Sequence, residues 1–468
     1  MGGVKNLPLG WHWATLGAVS EKPQYGWTTK ANHETGRLKL LRTTDITSGM
    51  INWSTVPYCT DEPDDIEKYL LKTGDILISR AGSIGVSFLI NKPERAVFAS
   101  YLIRFRIKNS CNKKYIYCYL KSPDYWAAIG ASKVGIAVPN VNATKLAQVL
   151  IPLASLNEQK LIVSEIEKQF SRLDEAVAGL KRIKSNLKRY KASVLKAAVE
   201  GKLTEEWRQT HPNVEKGADF LKRILAERKK KWEEKNSSKK YKEPVPPDTS
   251  NLQELPKGWV WATLDSVCHQ IGDVDHKMPK EKDEGIPYIS TKDFLPAGDI
   301  DYGNAKKIDQ ADYDKLCRKI FPEKGDILLS RYGTVGEVRL VKSKILFQAS
   351  YSIAILKPVS KKINDYLSLV MQTELIQKQI KKHTRATAQP DLGLAHIRQL
   401  SVPLASTEEQ NKIIEEIDRL FSVADEIVLA VETNLKRAER LRQAILKKAF
   451  SGKLVPQEHN KETAGKLN

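Results

Sequence analysis

The hydrophobic pattern between residues 156 and 200 predicts one long amphipathic helix. Ser155 and Glu158 have the spacing of a capping box, in which each side chain accepts a hydrogen bond from a backbone N–H group at the helix start. Gly201 suits the helix end, because glycine adopts the left-handed backbone conformation at little cost. The apolar positions between these signals recur at heptad-like steps, which predicts a seam that packs against a partner helix. They are Phe170, Leu173, Val177, Leu180, Leu187 and Val194.

The same pattern occurs a second time, between residues 406 and 452. Ser406, Glu409 and Gly452 each follow their counterparts in the first helix by 251 positions. Two matched seams in one chain can satisfy each other most simply as an antiparallel pair, although each helix packing on its own domain is the alternative. The second seam consists of Phe421, Ala424, Val428, Val431, Leu435, Ala438 and Ile445.

The segments before the two helices are also repeats of one another. Leu7–Leu16 and Leu255–Leu264 share a Gly-Trp-x-Trp-Ala-Thr-Leu core. Gly74–Arg80 and Gly325–Arg331 read as a turn followed by a buried strand, and two glycines after each predict a turn into a further strand. Each half is therefore predicted to be an α/β globule of roughly 150 residues followed by one long helix, and the two halves are expected to be related by a pseudo-twofold axis.

The region between the halves has no counterpart elsewhere in the chain. A charged helix is predicted around Glu215 to Lys235, followed by an extended linker rich in lysine and proline, whose lysines are either solvated or in contact with phosphate. The predicted organisation is a first globule at 1–154, a first long helix at 155–203, the charged helix and linker at 204–254, a second globule at 255–405, a second long helix at 406–454 and a tail at 455–468.

The charge of the chain points to a polyanionic partner. The net charge is +20, and such an excess is most often used to bind nucleic acid. Five scattered cysteines without metal-ligand spacing indicate reduced thiols and a cytoplasmic protein. No apolar run approaches the roughly 18 residues that a membrane span requires, and the N-terminus lacks a signal-peptide pattern.

Motifs of catalysis are not found. No Gly-x-x-x-x-Gly-Lys-Ser/Thr loop is present, which argues against ATP hydrolysis by that route. Asp75 and Asp326 each follow a glycine at the head of a strand, so turn chemistry explains them better than a paired carboxylate site. Asp64 and Glu67 resemble nuclease carboxylates only weakly, and the second half has no similar pair. The sequence therefore favours a binding protein that holds no metal and no catalytic residues.

Taken together, the paired motifs resemble the specificity subunits of type I restriction–modification systems. The resemblance covers almost the whole length and rests on motifs that occur in order and twice. These are the Gly-Trp openings, the Gly-Asp-Ile-Leu strands, the helix starts at Glu158-Gln159 and Glu409-Gln410, and the Gly-Lys-Leu ends at 201–203 and 452–454. One departure is that no second copy of the 204–235 region follows Leu454.

The resemblance implies an α+β fold in which two similar α/β target recognition domains are separated by two long antiparallel helices, forming a coiled-coil spacer. It implies double-stranded DNA, two modification (methyltransferase) subunits and restriction (motor and nuclease) subunits as partners. In such complexes S-adenosylmethionine, ATP and magnesium belong to the partners, so this chain is expected to bind no cofactor itself. Its function would be to recognise a bipartite, asymmetric DNA site and to direct methylation and restriction there.

The repeat also sorts the residues that would contact DNA. Half-sites of different sequence cannot be read by identical side chains, so shared residues should build the scaffold or contact phosphate, which carries no sequence information. Arg80 and Arg331 are shared and are interpreted as either phosphate contacts or structural ion pairs, whereas Tyr101 and Tyr351 are interpreted as core residues.

Base reading is expected where the halves diverge and keep polar side chains that suit base edges. In the first half these residues are Gln24, Tyr25, Lys30, Asn32, Arg37, Arg42, Thr43, Thr44 and Lys133. In the second half they are His276, Lys277, Lys280, Ser290, Thr291, Lys292, His383, Arg385 and Gln389.

Two alternatives of other classes stay open at this stage. One is a stand-alone DNA methyltransferase or nuclease with an unrecognised active site. The other is a scaffold whose basic charge serves RNA binding or solubility.

Overall fold

The computed structural model describes residues 7–131, 141–235, 240–276, 278–295, 298–385 and 389–456. Contacts divide the chain into two compact units. The first unit comprises residues 1–182 and 431–468, and the second comprises residues 183–430. Both long helices cross this division, so each unit contains one globule and a stretch of each helix.

The strands of the first unit form three small sheets. A β1–β10 pair is antiparallel, and two four-stranded sheets have the orders β2-β9-β6-β7 and β3-β5-β4-β8. The strands are β1 His12–Thr15, β2 Gln24–Tyr25, β3 Ala31–Asn32, β4 Lys39–Leu41, β5 Tyr58–Cys59, β6 Asp75–Ser79, β7 Ser87–Leu89, β8 Ala96–Phe98, β9 Leu102–Arg106 and β10 Leu150–Leu153.

The strands of the second unit repeat this plan with three sheets. A β11–β19 pair is antiparallel, and the other sheets have the orders β12-β18-β15-β16 and β14-β13-β17. The strands are β11 Val260–Thr263, β12 Cys268–Gly272, β13 Ile286–Ile289, β14 Lys307–Ile308, β15 Ile327–Ser330, β16 Val338–Leu340, β17 Gln348–Ala349, β18 Ile353–Pro358 and β19 Ser401–Leu404.

Helices connect and cover these sheets, and short 3₁₀ turns occur at Trp53–Thr55, Thr291–Asp293 and Lys361–Ile363. The α-helices are α1 Thr43–Ile46, α2 Ile66–Tyr69, α3 Lys113–Tyr119, α4 Pro123–Ala131, α5 Ala143–Ala147, α6 Leu156–Val199, α7 Glu205–Thr210, α8 Gly217–Lys235, α9 Leu264–Val267, α10 Gln310–Cys317, α11 Asn364–Gln372, α12 Glu374–His383, α13 Leu394–Gln399 and α14 Thr407–Ala449.

The central strand of each globule is buried on both faces. Alternate residues of a strand point to opposite sides, and the side chains of β6 accordingly enter two different cores. Ile76 and Ile78 join the cluster that also contains residues of α3, whereas Leu77 joins the cluster around Phe98. In the second unit, β15 divides its side chains between two cores in the same way. A strand buried on both faces explains the continuous apolar runs after Gly74 and Gly325.

The two long helices follow the sequence prediction closely. α6 has 44 residues and α14 has 43. The backbone N–H groups of Glu158 and Glu409 donate to the hydroxyls of Ser155 and Ser406 at 3.2 and 3.1 Å. Gly201 and Gly452 have φ values of 68° and 69°, the left-handed conformation that glycine adopts most easily. The serine half of each capping box and both glycine stops are therefore confirmed, whereas the carboxylates of Glu158 and Glu409 accept from the indoles of Trp11 and Trp259.

The helix segments pair in opposite directions within each unit. In the first unit the N-terminal part of α6, with Ile162 and Ile166, shares a core with Ile445 and Leu446 near the C-terminus of α14. In the second unit the C-terminal part of α6, with Val194, shares a core with residues near the N-terminus of α14. The fold is thus α+β, with two α/β globules and an antiparallel pairing of the long helices.

Candidate DNA-recognition surfaces

Each central strand is followed by an arginine and then by a turn that contains glycine. β6 ends at Ser79 and β15 ends at Ser330, and the shared arginine follows directly. Gly82 and Gly333 have φ values of 72° and 71°, which L side chains rarely adopt, so the turn that follows depends on glycine. The repeat therefore brings Arg80 and Arg331 to equivalent positions in the two units.

Ion pairs hold Arg331 inside the second unit, which agrees with one of the two interpretations of this residue. Its side chain is only 6% exposed, and its guanidinium forms ion pairs with Asp273 at 2.5 Å and Asp391 at 3.3 Å. The Nε–H group also donates to the carbonyl oxygen of Leu392 at 3.0 Å. This burial favours the structural ion pair over a phosphate contact, because exposing the guanidinium to DNA would leave two carboxylates without their cation.

Arg80 has a different environment at the equivalent position. It is half-buried, and its guanidinium lies over the ring of Tyr25 with 5.0 Å to the ring centroid. The Tyr25 hydroxyl accepts a hydrogen bond from the Ala143 backbone N–H at 2.9 Å, which fixes the ring. The shared arginine thus contacts an aromatic ring in the first unit and a carboxylate in the second. Arg80 keeps partial access to solvent.

An aromatic cluster lies beside Arg331 in the second unit. The imidazole of His276 stacks on Tyr351, with ring centroids 4.7 Å apart and an interplanar angle of 22°. Tyr332 contacts both rings edge-on, and the Arg331 guanidinium lies 4.3 Å from the Tyr332 centroid. His276 is exposed, so this cluster presents an oriented imidazole to solvent, a group that can bond to base edges or phosphate.

The two shared tyrosines do not behave alike. Tyr351 is half-buried and packs against a core cluster, as predicted. Tyr101 is 62% exposed, so the expectation of a core residue is wrong there. The difference arises because Tyr351 is covered by His276, a residue of the diverged segment.

The remaining candidates of the first unit lie on or near the β3-β5-β4-β8 sheet. Lys30, Arg37 and Thr44 are exposed, and the Arg37 side chain is 89% exposed with one ion pair to Glu62 at 3.5 Å. Arg42 instead forms ion-paired hydrogen bonds with Asp45 at 3.0 and 3.1 Å. These contacts leave Lys30, Arg37 and Thr44 as the side chains most available to DNA.

Three further candidates of this unit have local structural bonds. Asn32 closes its own turn, donating to the Thr35 carbonyl at 2.9 Å and accepting from the Glu34 N–H at 3.0 Å. Thr43 lies 3.5 Å from the Ser79 hydroxyl. Gln24 donates to the Lys68 carbonyl at 2.9 Å and accepts from Arg104, so its amide is used within the globule.

The candidates of the second unit fall into two groups. Lys280 and Lys292 are exposed, whereas Ser290 is bound to Asp293, which accepts from its backbone N–H at 2.7 Å and its hydroxyl at 2.9 Å. Thr291 is half-buried in the 3₁₀ turn that this contact begins. The Ser290–Lys292 segment therefore projects mainly Lys292 outward.

The second group surrounds the end of α12. Arg385 and Gln389 are exposed, and the Arg385 backbone N–H donates to the backbone carbonyl oxygen of Asp391 at 2.9 Å. His383 stacks on His396 with centroids 4.7 Å apart. Burial and the neighbouring His396 and Lys382 lower the pKa of His383 below its usual value. Two other candidates, Lys133 and Lys277, lie outside the described residues.

Sequence reasoning missed the acids that hold Arg331. Asp273 corresponds to Tyr25 in the repeat and Asp391 lies next to the diverged segment, so neither is a shared residue. The signal available in the sequence was a carboxylate, Asp273, at the repeat position that Tyr25 occupies in the first half.

Among the described residues, the carboxylates and thiols that could serve catalysis have structural environments. They contain no group of three or more His, Cys, Asp or Glu side chains arranged to hold a metal ion. Asp75 and Asp326 accept from the backbone N–H groups of Lys72 and Glu323 at 3.0 and 2.7 Å, which confirms the turn interpretation. Burial raises the pKa of Cys59 to about 11 and that of Cys118 to about 12, which disfavours nucleophilic thiolates. No described helix combines the length and apolar content needed to span a bilayer.

Comparison with known proteins agrees with this architecture. The family model described as the type I restriction modification DNA specificity domain matches twice, at residues 8–189 and 256–437. The chain is 27% identical over 435 residues to the type I restriction enzyme EcoBI specificity subunit of Escherichia coli, covering 92% of this chain and 83% of that protein. It is 24% identical to the EcoKI specificity subunit of Escherichia coli strain K12, covering 96% and 90%.

A solved structure shows the same fold. A chain from a structure on the assembly and conformational transition of the type I R-M system superposes with a TM-score of 0.60 at 17% identity, covering 96% of this chain and all of that one. The duplicated fold and the two matches to the family model define a DNA specificity protein. The chain belongs to the type I restriction–modification DNA specificity family and is a non-catalytic specificity subunit.

Proposed function

We propose that each unit reads one half of a bipartite, asymmetric duplex DNA site and that the paired helices set the distance between the halves. The observation that carries this proposal is the pairing of one repeated scaffold with two different sets of exposed side chains. Strand, turn and arginine recur in both units, whereas the polar side chains around them differ.

The side chains suggest how the two half-sites are distinguished. Lys30, Arg37 and Thr44 face solvent in the first unit, and His276, Lys280 and Arg385 face solvent in the second. Arginine and lysine pair with guanine O6 and N7 in the major groove, each good bidentate pair giving about 1–3 kcal/mol of discrimination. Different residues at these positions therefore favour different half-sites.

The helices have a length suited to spacing two recognition surfaces. At 1.5 Å per residue, the 44 residues of α6 extend roughly 66 Å. One turn of duplex DNA advances about 34–36 Å, so two surfaces on one face of the duplex should be separated by whole turns. A short unread spacer between two specific segments is the expected target.

Exposed apolar residues on the helices support docking of the modification subunits. Tyr190 and Leu441 are equivalent in the repeat and are 42% and 49% exposed. In the second unit Ile183 and Ile427 are exposed as well, and they lie seven residues before Tyr190 and fourteen residues before Leu441, respectively. We propose that one modification subunit docks at each unit and that restriction subunits join them. S-adenosylmethionine, ATP and magnesium would be bound by these partners, and the complex would act on DNA in the cytoplasm.

The test is a comparison of half-site variants in the assembled complex. Arg37→Gln with Lys30→Gln should weaken recognition of one half-site, and Arg385→Gln with Lys280→Gln should weaken the other, as measured by methylation of duplexes mutated in one half at a time. If either pair affected both half-sites equally, the assignment of one half to each unit would be wrong.

A stand-alone methyltransferase is the competing function, and one assay separates the two. The purified chain, incubated with labelled S-adenosylmethionine and DNA, should transfer no methyl group until a modification subunit is added. Transfer by the chain alone would overturn the non-catalytic role.

A further inference from the structure

A basic pocket lies in the second unit beside the segment that connects the two repeats. Its volume is about 410 Å³, within the range of small-molecule sites. α8 and the linker after it form one wall, and α13 forms the other. Residues 190–255 fall between the two segments that match the family model, so family membership assigns no role to this wall.

Four cationic side chains line the pocket, namely Arg228, Lys240, Lys242 and Arg398. The lining contains two carboxylates, Glu243 and Asp265, so positive charge is in excess. Lys240 and Lys242 are exposed at the mouth. A concave surface with this balance attracts small anions, because low-dielectric walls strengthen the field within a cleft.

The floor of the pocket is held rigidly. Arg228 is only 9% exposed, and its guanidinium donates to the Cys268 carbonyl at 3.0 Å, the Tyr241 hydroxyl at 2.6 Å and Asp265 at 3.1 Å. A guanidinium has five N–H groups, so this set leaves donors for a further acceptor. Arg398 is anchored in the same way, donating to the Ile271 carbonyl at 2.7 Å.

The helix that carries Arg228 is itself fixed to the globule. Phe220 and Ile224 are buried in the core of the second unit. The Gly217 backbone N–H donates to the Gly258 carbonyl at 2.7 Å, and a Cβ atom at Gly217 would come within 2.4 Å of the Leu404 carbonyl oxygen. The pocket is therefore preorganised, which reduces the cost of ordering side chains on binding.

An aromatic wall adds to the basic floor. Trp232 lines the pocket and contacts the Tyr241 ring edge-on, with centroids 5.4 Å apart. Aromatic side chains stack on nucleobases, and arginine and lysine bind phosphate with charge-assisted hydrogen bonds. Phosphate and base are joined in a nucleotide, so a nucleotide can make both kinds of contact at once.

We propose that this pocket binds the phosphate of a nucleotide, with Arg228, Arg398, Lys240 and Lys242 as its ligands and Trp232 beside the base. The phosphate has two possible sources, a free mononucleotide or the backbone of the bound DNA. In both cases the linker lysines have a binding role that is independent of base reading.

The experiment is calorimetric titration of the full chain with adenosine monophosphate, inorganic phosphate, adenosine and a duplex lacking the recognition site. The test variant is K240Q/K242Q, and the control is K324Q/K361Q, which removes the same charge from exposed positions of the same unit outside the pocket. We leave Arg228 unchanged because its bonds support the fold.

We expect adenosine monophosphate to bind more tightly than phosphate or adenosine, and K240Q/K242Q to weaken it by at least about tenfold while the control stays within twofold. Binding of duplex alone, weakened in K240Q/K242Q and unchanged in the control, would support the phosphate site with DNA as its source. Failure of adenosine monophosphate to bind together with duplex binding that K240Q/K242Q leaves unchanged, or an equal loss in the two variants, would overturn the proposal.

Discussion

The indole N–H of Trp259 donates to the carboxylate of Glu409 at 2.9 Å, which ties the opening of the second globule to the start of α14. Trp11 makes the same contact with Glu158 in the first unit, at 3.0 Å to each carboxylate oxygen. The glutamate of each capping box thus orients a globule on its helix. The two contacts differ in one respect, since Glu409 also accepts from Thr204 at 2.7 Å and is ion-paired with Arg208.

This difference predicts unequal costs for the same substitution in the two units. Glu409 is 3% exposed, so Glu409→Gln should destabilise the second unit by about 3 kcal/mol, because Arg208 loses its counter-charge in a buried site. Glu158 is half-buried, and Glu158→Gln should cost only about 1 kcal/mol, the loss of one charge-assisted bond. Urea unfolding measures both. Equal costs would contradict the role assigned to Arg208.

The buried ion pair of Arg331 predicts a strong effect at a position outside the DNA contacts. Asp273→Asn should destabilise the second unit by about 3–5 kcal/mol, since it leaves the Arg331 guanidinium buried with an incomplete counter-charge. Asp275→Asn is the matched control, because its side chain is 73% exposed and its ion pair with Lys319 at 3.4 Å contributes at most about 1 kcal/mol. Thermal unfolding of both variants tests this, and a mild effect of Asp273→Asn would restore Arg331 as a candidate DNA contact.

The stacked pair His383 and His396 predicts a pH dependence of stability. The pKa of His383 is lowered by burial and by nearby His396 and Lys382, so the folded protein binds its proton more weakly than the unfolded chain does. The contribution of His383 to folding stability is complete above its pKa in the unfolded chain, about 6.5. It is lost as the pH falls from there through the lower pKa of the folded protein. His383→Gln should reduce the fall in melting temperature between neutral and mildly acidic pH. The exposed His33→Gln serves as the control and should leave that fall unchanged.

The pairing of the long helices predicts how the spacer responds to helix length. Three heptads inserted into both α6 and α14 keep the seam in register and lengthen the pair by about 32 Å, which is close to one turn of DNA or roughly nine base pairs. Mapped methylation sites should keep both half-sites and change only the unread spacer. Insertion into α6 alone should break the register and reduce methylation generally. An unchanged spacer in the double insertion would show that the helices do not set the distance.

The sequence predicted the elements that depend on local signals. The caps at Ser155 and Ser406 and the stops at Gly201 and Gly452 are set by backbone chemistry within a few residues, so they could be located without tertiary information. The central strands were predictable for a similar reason, because burial on both faces requires a continuous apolar run.

The environment of the shared arginines could not be predicted. The burial of such an arginine depends on the side chain that contacts it. This side chain is Tyr25 in the first unit and Asp273 in the second. The exposure of Tyr101 was not predicted because His276, which covers Tyr351, comes from a segment whose sequence differs between the two halves. Contacts between the side chains of diverged segments produce no periodic pattern in a single sequence, so they could not be predicted from it.

The most direct test of the account is to exchange one globule and map the methylated sites. Residues 7–154 would be replaced by the corresponding globule of a relative with a different target, and the chimera would be expressed with its modification and restriction subunits. The account predicts that one half-site changes, while the other half-site and the spacer remain. A change in both half-sites, or in neither, would contradict the claim that each unit reads its own half of the DNA site.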